Sequence, residues 1–103
     1  MQQELWGRRY KNASGRETYE IFHAEPDFLK TIALILQAQF GFRQKGQTLV
    51  GLDVVYMNFT KCHVAVVLGW DNWTGCSIFS ECPGGDEQII AIGNYLDEAL
   101  KFL

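Results

Sequence analysis

Apolar positions recur at three- and four-residue spacing in two stretches of the chain, and between them they alternate or run together, a pattern that predicts helix, then sheet, then helix. The first stripe is Phe28, Leu29, Ile32, Ile35, Leu36 and Phe40, with Lys30 and Gln37 off it. Glu25-Pro26-Asp27 opens this helix, because proline suits the first turn and carboxylates suit the positive end of the helix dipole. The spacing predicts a helix from Pro26 to about Gln39, with Gly41 as a left-handed stop and Lys45-Gly46 as a further break. The second stripe is Ile89, Ile92, Leu96, Ala99, Leu100 and Leu103. Cys82-Pro83-Gly84-Gly85 breaks the chain before it, and Asp86-Glu87 put negative charge on its first turn. Gly93 inside this stripe costs about 1 kcal/mol in helix propensity relative to alanine, so close packing against a sheet is expected there.

The intervening Leu49 to Glu81 is rich in Val, Ile, Tyr and Phe and reads as three strands: Leu52 to Phe59, Cys62 to Trp70, and Thr74 to Ser80. Thr60-Lys61 and Asp71-Asn72-Trp73 are short enough to join them as antiparallel hairpins in a meander. The middle strand is apolar or small on both faces, Val64, Val66 and Leu68 against Ala65 and Val67, which predicts a central strand covered at least partly on both sides. Upstream, Glu17 to His23 has the alternation of a short strand, and residues 1–16, with Asn12-Ala13-Ser14-Gly15 as a turn signal, form a leading segment that Leu5, Trp6 and Tyr10 can tether as the other arm of a hairpin. The expected fold is an α+β two-layer domain, an antiparallel meander with both helices packed on one face.

At 103 residues, 48% hydrophobic and 20% charged, the chain fits one globular domain spanning residues 1–103 that needs no disulfide or metal to hold it. The amino terminus lacks the apolar run of a signal peptide, and the most hydrophobic segments, Thr31 to Leu36 and Val64 to Trp70, fall far short of the roughly 20 residues that span a bilayer. A soluble, cytoplasmic protein without a membrane partner is expected. Three cysteines, Cys62, Cys76 and Cys82, are an odd set without a close pair; reduced thiols are the simplest reading, and a zinc site drawing on them with His63 or His23 lacks the paired spacing of zinc ligands.

Charge is unevenly placed. Met1 to Gly46 holds seven basic and five acidic residues, whereas from Gln47 onward only Lys61 and Lys101 face Asp53, Asp71, Glu81, Asp86, Glu87, Asp97 and Glu98. An acidic carboxyl half repels nucleic acid and anionic membrane and attracts a basic protein; a modest acid excess is also ordinary for soluble surfaces.

No convergent acid–base set is visible, so an enzyme is not expected and no cofactor is called for. Adjacent Cys62 and His63 point to opposite faces if they lie in a strand, one toward the core and one toward solvent. Pro83-Gly84-Gly85-Asp86 could present free amides to an anion, but Glu81, Asp86 and Glu87 would repel it, and a strand-to-helix turn explains the same residues. Trp70, Trp73, Tyr56 and Phe79 could line an aromatic ligand pocket, or serve as sheet packing. The most distinctive stretch is Gly69-Trp70-Asp71-Asn72-Trp73-Thr74-Gly75, two tryptophans bracketing a turn-forming Asp-Asn pair. Trp70 is expected in the core and Asp71-Asn72 exposed.

Gly51-Leu52-Asp53-Val54-Val55-Tyr56, this Trp-Asp-Asn-Trp turn, and Gly85-Asp86-Glu87 opening a terminal helix together resemble small bacterial immunity-like proteins of polymorphic-toxin and contact-dependent inhibition systems, over about Tyr19 to Leu103. The resemblance implies a cytosolic immunity protein that binds and neutralises a cognate basic toxin domain, for instance a nuclease. The expected partner-binding residues are Asp71, Asn72, Trp73, Glu81, Asp86 and Glu87, with acids mimicking substrate phosphates and aromatics anchoring the centre. The alternative is a small ligand-binding or regulatory module with an aromatic pocket.

Overall fold

A computed structural model describes residues 6–101; Leu5 and Leu103, expected to join the core, lie outside them. Strands β1 (Trp6–Lys11) and β2 (Glu17–Phe22) form a hairpin, followed by helix α1 (Phe28–Phe40), the two-residue strands β3 (Arg43–Gln44) and β4 (Leu49–Val50), then β5 (Val54–Lys61), β6 (Val64–Asp71), β7 (Gly75–Ser80) and helix α2 (Asp86–Leu100). All seven strands join one antiparallel sheet in the order β1-β2-β7-β6-β5-β3, with β4 also pairing β5. This is the expected α+β meander with two helices.

Alternation along the strands puts Tyr19 and Ile21 of β2, Cys76 and Ile78 of β7, Val66 and Leu68 of β6 and Phe59 of β5 into one core with Leu29, Ile32, Ala33 and Leu36 of α1 and Ile89, Ile92, Leu96 and Leu100 of α2. Burying side chains of this kind stabilises by about 1.5–3 kcal/mol each, which is what makes the two stripes dock. α2 lies over β1, β2 and β7, and α1 over β6. Gly41 stops α1 in the left-handed region, φ 73°, with its N–H bonded to the Leu36 carbonyl.

The hairpin between β5 and β6 turns at Cys62-His63 instead of Thr60-Lys61, because Thr60 and Lys61 stay in register with Ala65 and Val64 and Cys62 takes φ 55°. Cys62 and His63 are therefore both exposed, not divided between core and solvent. α1 begins two residues after Pro26: the Phe28 and Leu29 amides bond the Glu25 and Pro26 carbonyls in a turn that leads into it. The edge strands β3 and β4 were not expected, since two-residue strands are too short to carry a period.

β6 is central, as its composition demands. Val66 and Leu68 face the helices, while Val67 and Gly69 are buried on the opposite face, which carries no helix in the described residues. Cover there comes from neighbouring strands: a Cβ on Gly69 would sit 3.0 Å from the Tyr56 ring. Further along this face Trp6 stacks on Phe22 at 4.3 Å. The Arg8 guanidinium lies 5.0 Å from the Tyr10 ring centre and 5.4 Å from that of Phe22. Burial, and then the neighbouring Glu20 carboxylate, push the Tyr10 phenol up to about 12.

Candidate functional site

The Trp-Asp-Asn-Trp segment folds as a tight turn whose own residues consume its polar groups. Asp71 Oδ1 accepts hydrogen bonds from the Trp73 and Thr74 amides at 2.9 and 2.8 Å, and Oδ2 accepts from Thr74 Oγ1 at 2.7 Å. Partial burial raises the Asp71 pKa, but these bonds outweigh it and hold the carboxyl below its ordinary value. Asp71 is thus half-buried and committed to the turn, a correction to its expected exposure, while Asn72 is exposed as expected. Trp70 is half-buried against the core, with Nε1 donating to the Ala24 carbonyl at 2.9 Å. Gly75 closes the turn at φ 97°, where a Cβ would collide with the Ile21 carbonyl. Trp73 is left outside, 77% exposed.

Beside this turn lies the connection from β4 to β5. The Asn72 amide donates to the Asp53 carbonyl at 3.1 Å, and Val54 pairs with Asp71, so Leu52 and Asp53 sit next to Asn72 and Trp73. Leu49 pairs with Tyr56 and Val50 with Val55. Leu52 is fully exposed, Val50 is 75% exposed, and Leu49 and Tyr56 are exposed too. Five large apolar side chains are therefore exposed around one corner of the sheet, Leu49 and Tyr56 on the face away from the helices, Val50 on the helix side, and Leu52 and Trp73 in the turns. Of these, Trp73 was expected at a partner-binding site and Tyr56 with Trp73 in an aromatic pocket; Leu49, Val50 and Leu52 were not. Leu49-Val50-Gly51-Leu52 was the available signal, an apolar run too broken by glycine to be a buried strand.

Glu81, Asp86 and Glu87 sit at the other end of β7. Its six residues separate them from the Asp71 turn by about 20 Å at 3.3 Å per residue, so the expected site falls into two parts. Asp86 is an internal tie: Oδ1 accepts the Glu17 amide at 3.2 Å and Oδ2 lies 3.8 Å from Arg16 Nη1, fixing the start of α2 to the first hairpin. Glu87 is exposed. Glu81 is exposed as well and borders a depression of about 300 Å³ lined by Lys45, Gly46, Asn58, Phe59, Ala65 and Val66. Ser80 closes the loop to α2, its hydroxyl donating to the Cys82 carbonyl at 2.8 Å and accepting the Cys82 amide at 3.2 Å.

Much of the acidic half is spent internally. Asp97 accepts the Tyr19 hydroxyl at 2.6 Å, and Glu98 pairs with Lys101 at 3.1 Å. With Asp71 and Asp86 also engaged, Asp53, Glu81 and Glu87 are the carboxylates of this half without a side-chain hydrogen bond or ion pair among the described residues. The four aromatics of the envisaged pocket do not converge: Trp70 packs on the helix side, whereas Phe79 and Tyr56 belong to the opposite face of the sheet and Trp73 to the turn. Strand alternation separates them. Cys76 is buried and desolvation pushes its thiol up to about 12, which makes it a packing group and not a nucleophile. Among the described residues no group of three or more His, Cys, Asp or Glu is placed to hold a metal ion, and no helix is long and apolar enough to cross a membrane.

No protein-family model matches the chain, and no curated protein or solved structure is significantly similar to it.

Proposed function

We propose that this chain is a cytosolic immunity protein that binds and neutralises a cognate basic toxin domain. The observation that carries the reading is the exposed apolar corner beside the Asn72-Trp73 turn, where large side chains stand in water next to Asp53. Large apolar side chains standing in water at the edge of a sheet mark interaction sites in soluble proteins, and an aromatic anchor with a carboxylate at its rim suits a basic partner. The dispersed aromatics favour this reading over a ligand pocket. Reading the genes beside this one for a toxin domain, and producing that domain with and without this protein, tests the proposal; the absence of any such domain overturns it. Growth rescued together with recovery of a stable complex supports it; toxicity unchanged by the protein overturns it.

A further inference from the structure

We infer that the partner docks on the corner formed by β4, the β4–β5 turn and the β6–β7 turn, and lays against it an extended segment carrying apolar side chains and at least one Lys or Arg. The inference rests on the proposed binding of a basic protein domain and names where and how it binds. Three observations carry it.

The first is exposure on both sides of one edge. Leu49 and Tyr56, a cross-strand pair, stand on the face away from the helices and Val50, paired with Val55, on the helix side, with Leu52 and Trp73 in the adjoining turns, and all five are exposed. A strand laid along this edge places its own alternating side chains on both faces. The second is the backbone. The Gly51 amide bonds the Val54 carbonyl at 2.8 Å within the β4–β5 pairing, so by the alternation of an antiparallel ladder the Val50 N–H and C=O point away from the sheet. Edge groups of this kind accept an added strand, while side-chain contacts set specificity.

The third is charge. Residues 46–60 and 62–100 contain no Lys or Arg, Asp53 is exposed, and Asp71 is held ionised beside it by its turn. A second copy placed on this corner about a two-fold axis would oppose these carboxylates to their own kind, which is unfavourable. A cationic segment meets no such repulsion.

The test measures binding of the neighbouring-gene toxin domain to the wild-type protein, to Leu52→Glu with Trp73→Ala, to Asp53→Asn, and to Glu81→Gln with Glu87→Gln. All five side chains are exposed, and unchanged thermal melting confirms that each variant folds. The corner double variant should bind roughly 30-fold or more weakly, as loss of a hot spot of about 2 kcal/mol requires. Asp53→Asn should slow association and flatten its salt dependence, the Glu81/Glu87 variant should stay within about twofold of wild type on the same scale, and the Val50 amide should gain hydrogen-exchange protection in the complex. A complex that forms with all variants alike overturns this inference and leaves the immunity reading standing. Failure of the wild type to bind overturns both. A wild-type dimer that Leu52→Glu dissociates would assign the corner to a second copy and overturn the inference as well.

Discussion

Gly93 of α2 lies directly on the ring of Tyr19 in β2, so that a Cβ at Gly93 would come 2.8 Å from Tyr19 Cδ1. The ring is buried, and its hydroxyl donates to Asp97, one turn further along the same helix, at 2.6 Å. The contact sets how closely α2 approaches the sheet. Gly93→Ala gains about 1 kcal/mol in helix propensity, but overpacking a fixed ring costs about 1–3 kcal/mol. Urea denaturation should show the variant less stable than wild type by up to about 2 kcal/mol, and a more stable variant would show that the helix can lift without loss.

Tyr19→Phe keeps the packing and removes the bond to Asp97, a loss of about 1–2 kcal/mol. It should also change the alkaline limb of stability. Burial, then the Asp97 hydrogen bond and charge, raise the Tyr19 phenol well above its ordinary value, and Tyr10 and Cys76 are each raised to about 12. Groups whose folded pKa is raised stabilise fully below their unfolded pKa, and that contribution is lost as pH rises toward the folded value. Stability should therefore fall from about pH 9 upward, beginning with Cys76 and continuing with the tyrosines, and the fall should be shallower in Tyr19→Phe. Denaturation midpoints between neutral pH and pH 11 check this.

The two tryptophans of the turn should separate cleanly. Trp70→Ala removes a side chain packed on the core and its bond to Ala24, and should cost about 3 kcal/mol. Trp73→Ala removes an exposed one and should stay within about 0.5 kcal/mol of wild type. Equal melting temperatures for the two variants would contradict the placement of both rings.

Asp71→Ala deletes three hydrogen bonds of the β6–β7 turn and should cost about 2 kcal/mol. Because the Asp71 pKa is lowered in the folded state, its contribution is present above the unfolded carboxyl value of about 3.9 and is lost as pH falls through the folded one. Between pH 5 and pH 3 the wild type should lose more stability than Asp71→Ala, a difference that thermal melts at each pH would reveal.

Elements with a sustained period were legible in the chain itself. The α1 and α2 stripes, the central place of β6 and the close seat of Gly93 all follow from one-dimensional spacing, because a helix or strand repeats its buried face at a fixed interval. Local turn chemistry was legible for the same reason: Asp71 bonds amides only two and three residues away. What spacing cannot carry is which polar group meets which. Asp86 looked like free charge until Arg16 and the Glu17 amide came beside it from the other end of the chain, and Asp97 looked the same until Tyr19 reached it. The candidate site was decided likewise. Leu52 reads as the start of a strand and Leu49 and Val50 as the β-rich stretch leading into it, and the pairing of the two-residue β4 with β5, together with the bond from Asn72 to Asp53, left all three at an edge beside Trp73. Burial along an element is a property of its own period, whereas exposure at an edge depends on where the last neighbour in the sheet stops, and that is fixed only when the whole chain has packed.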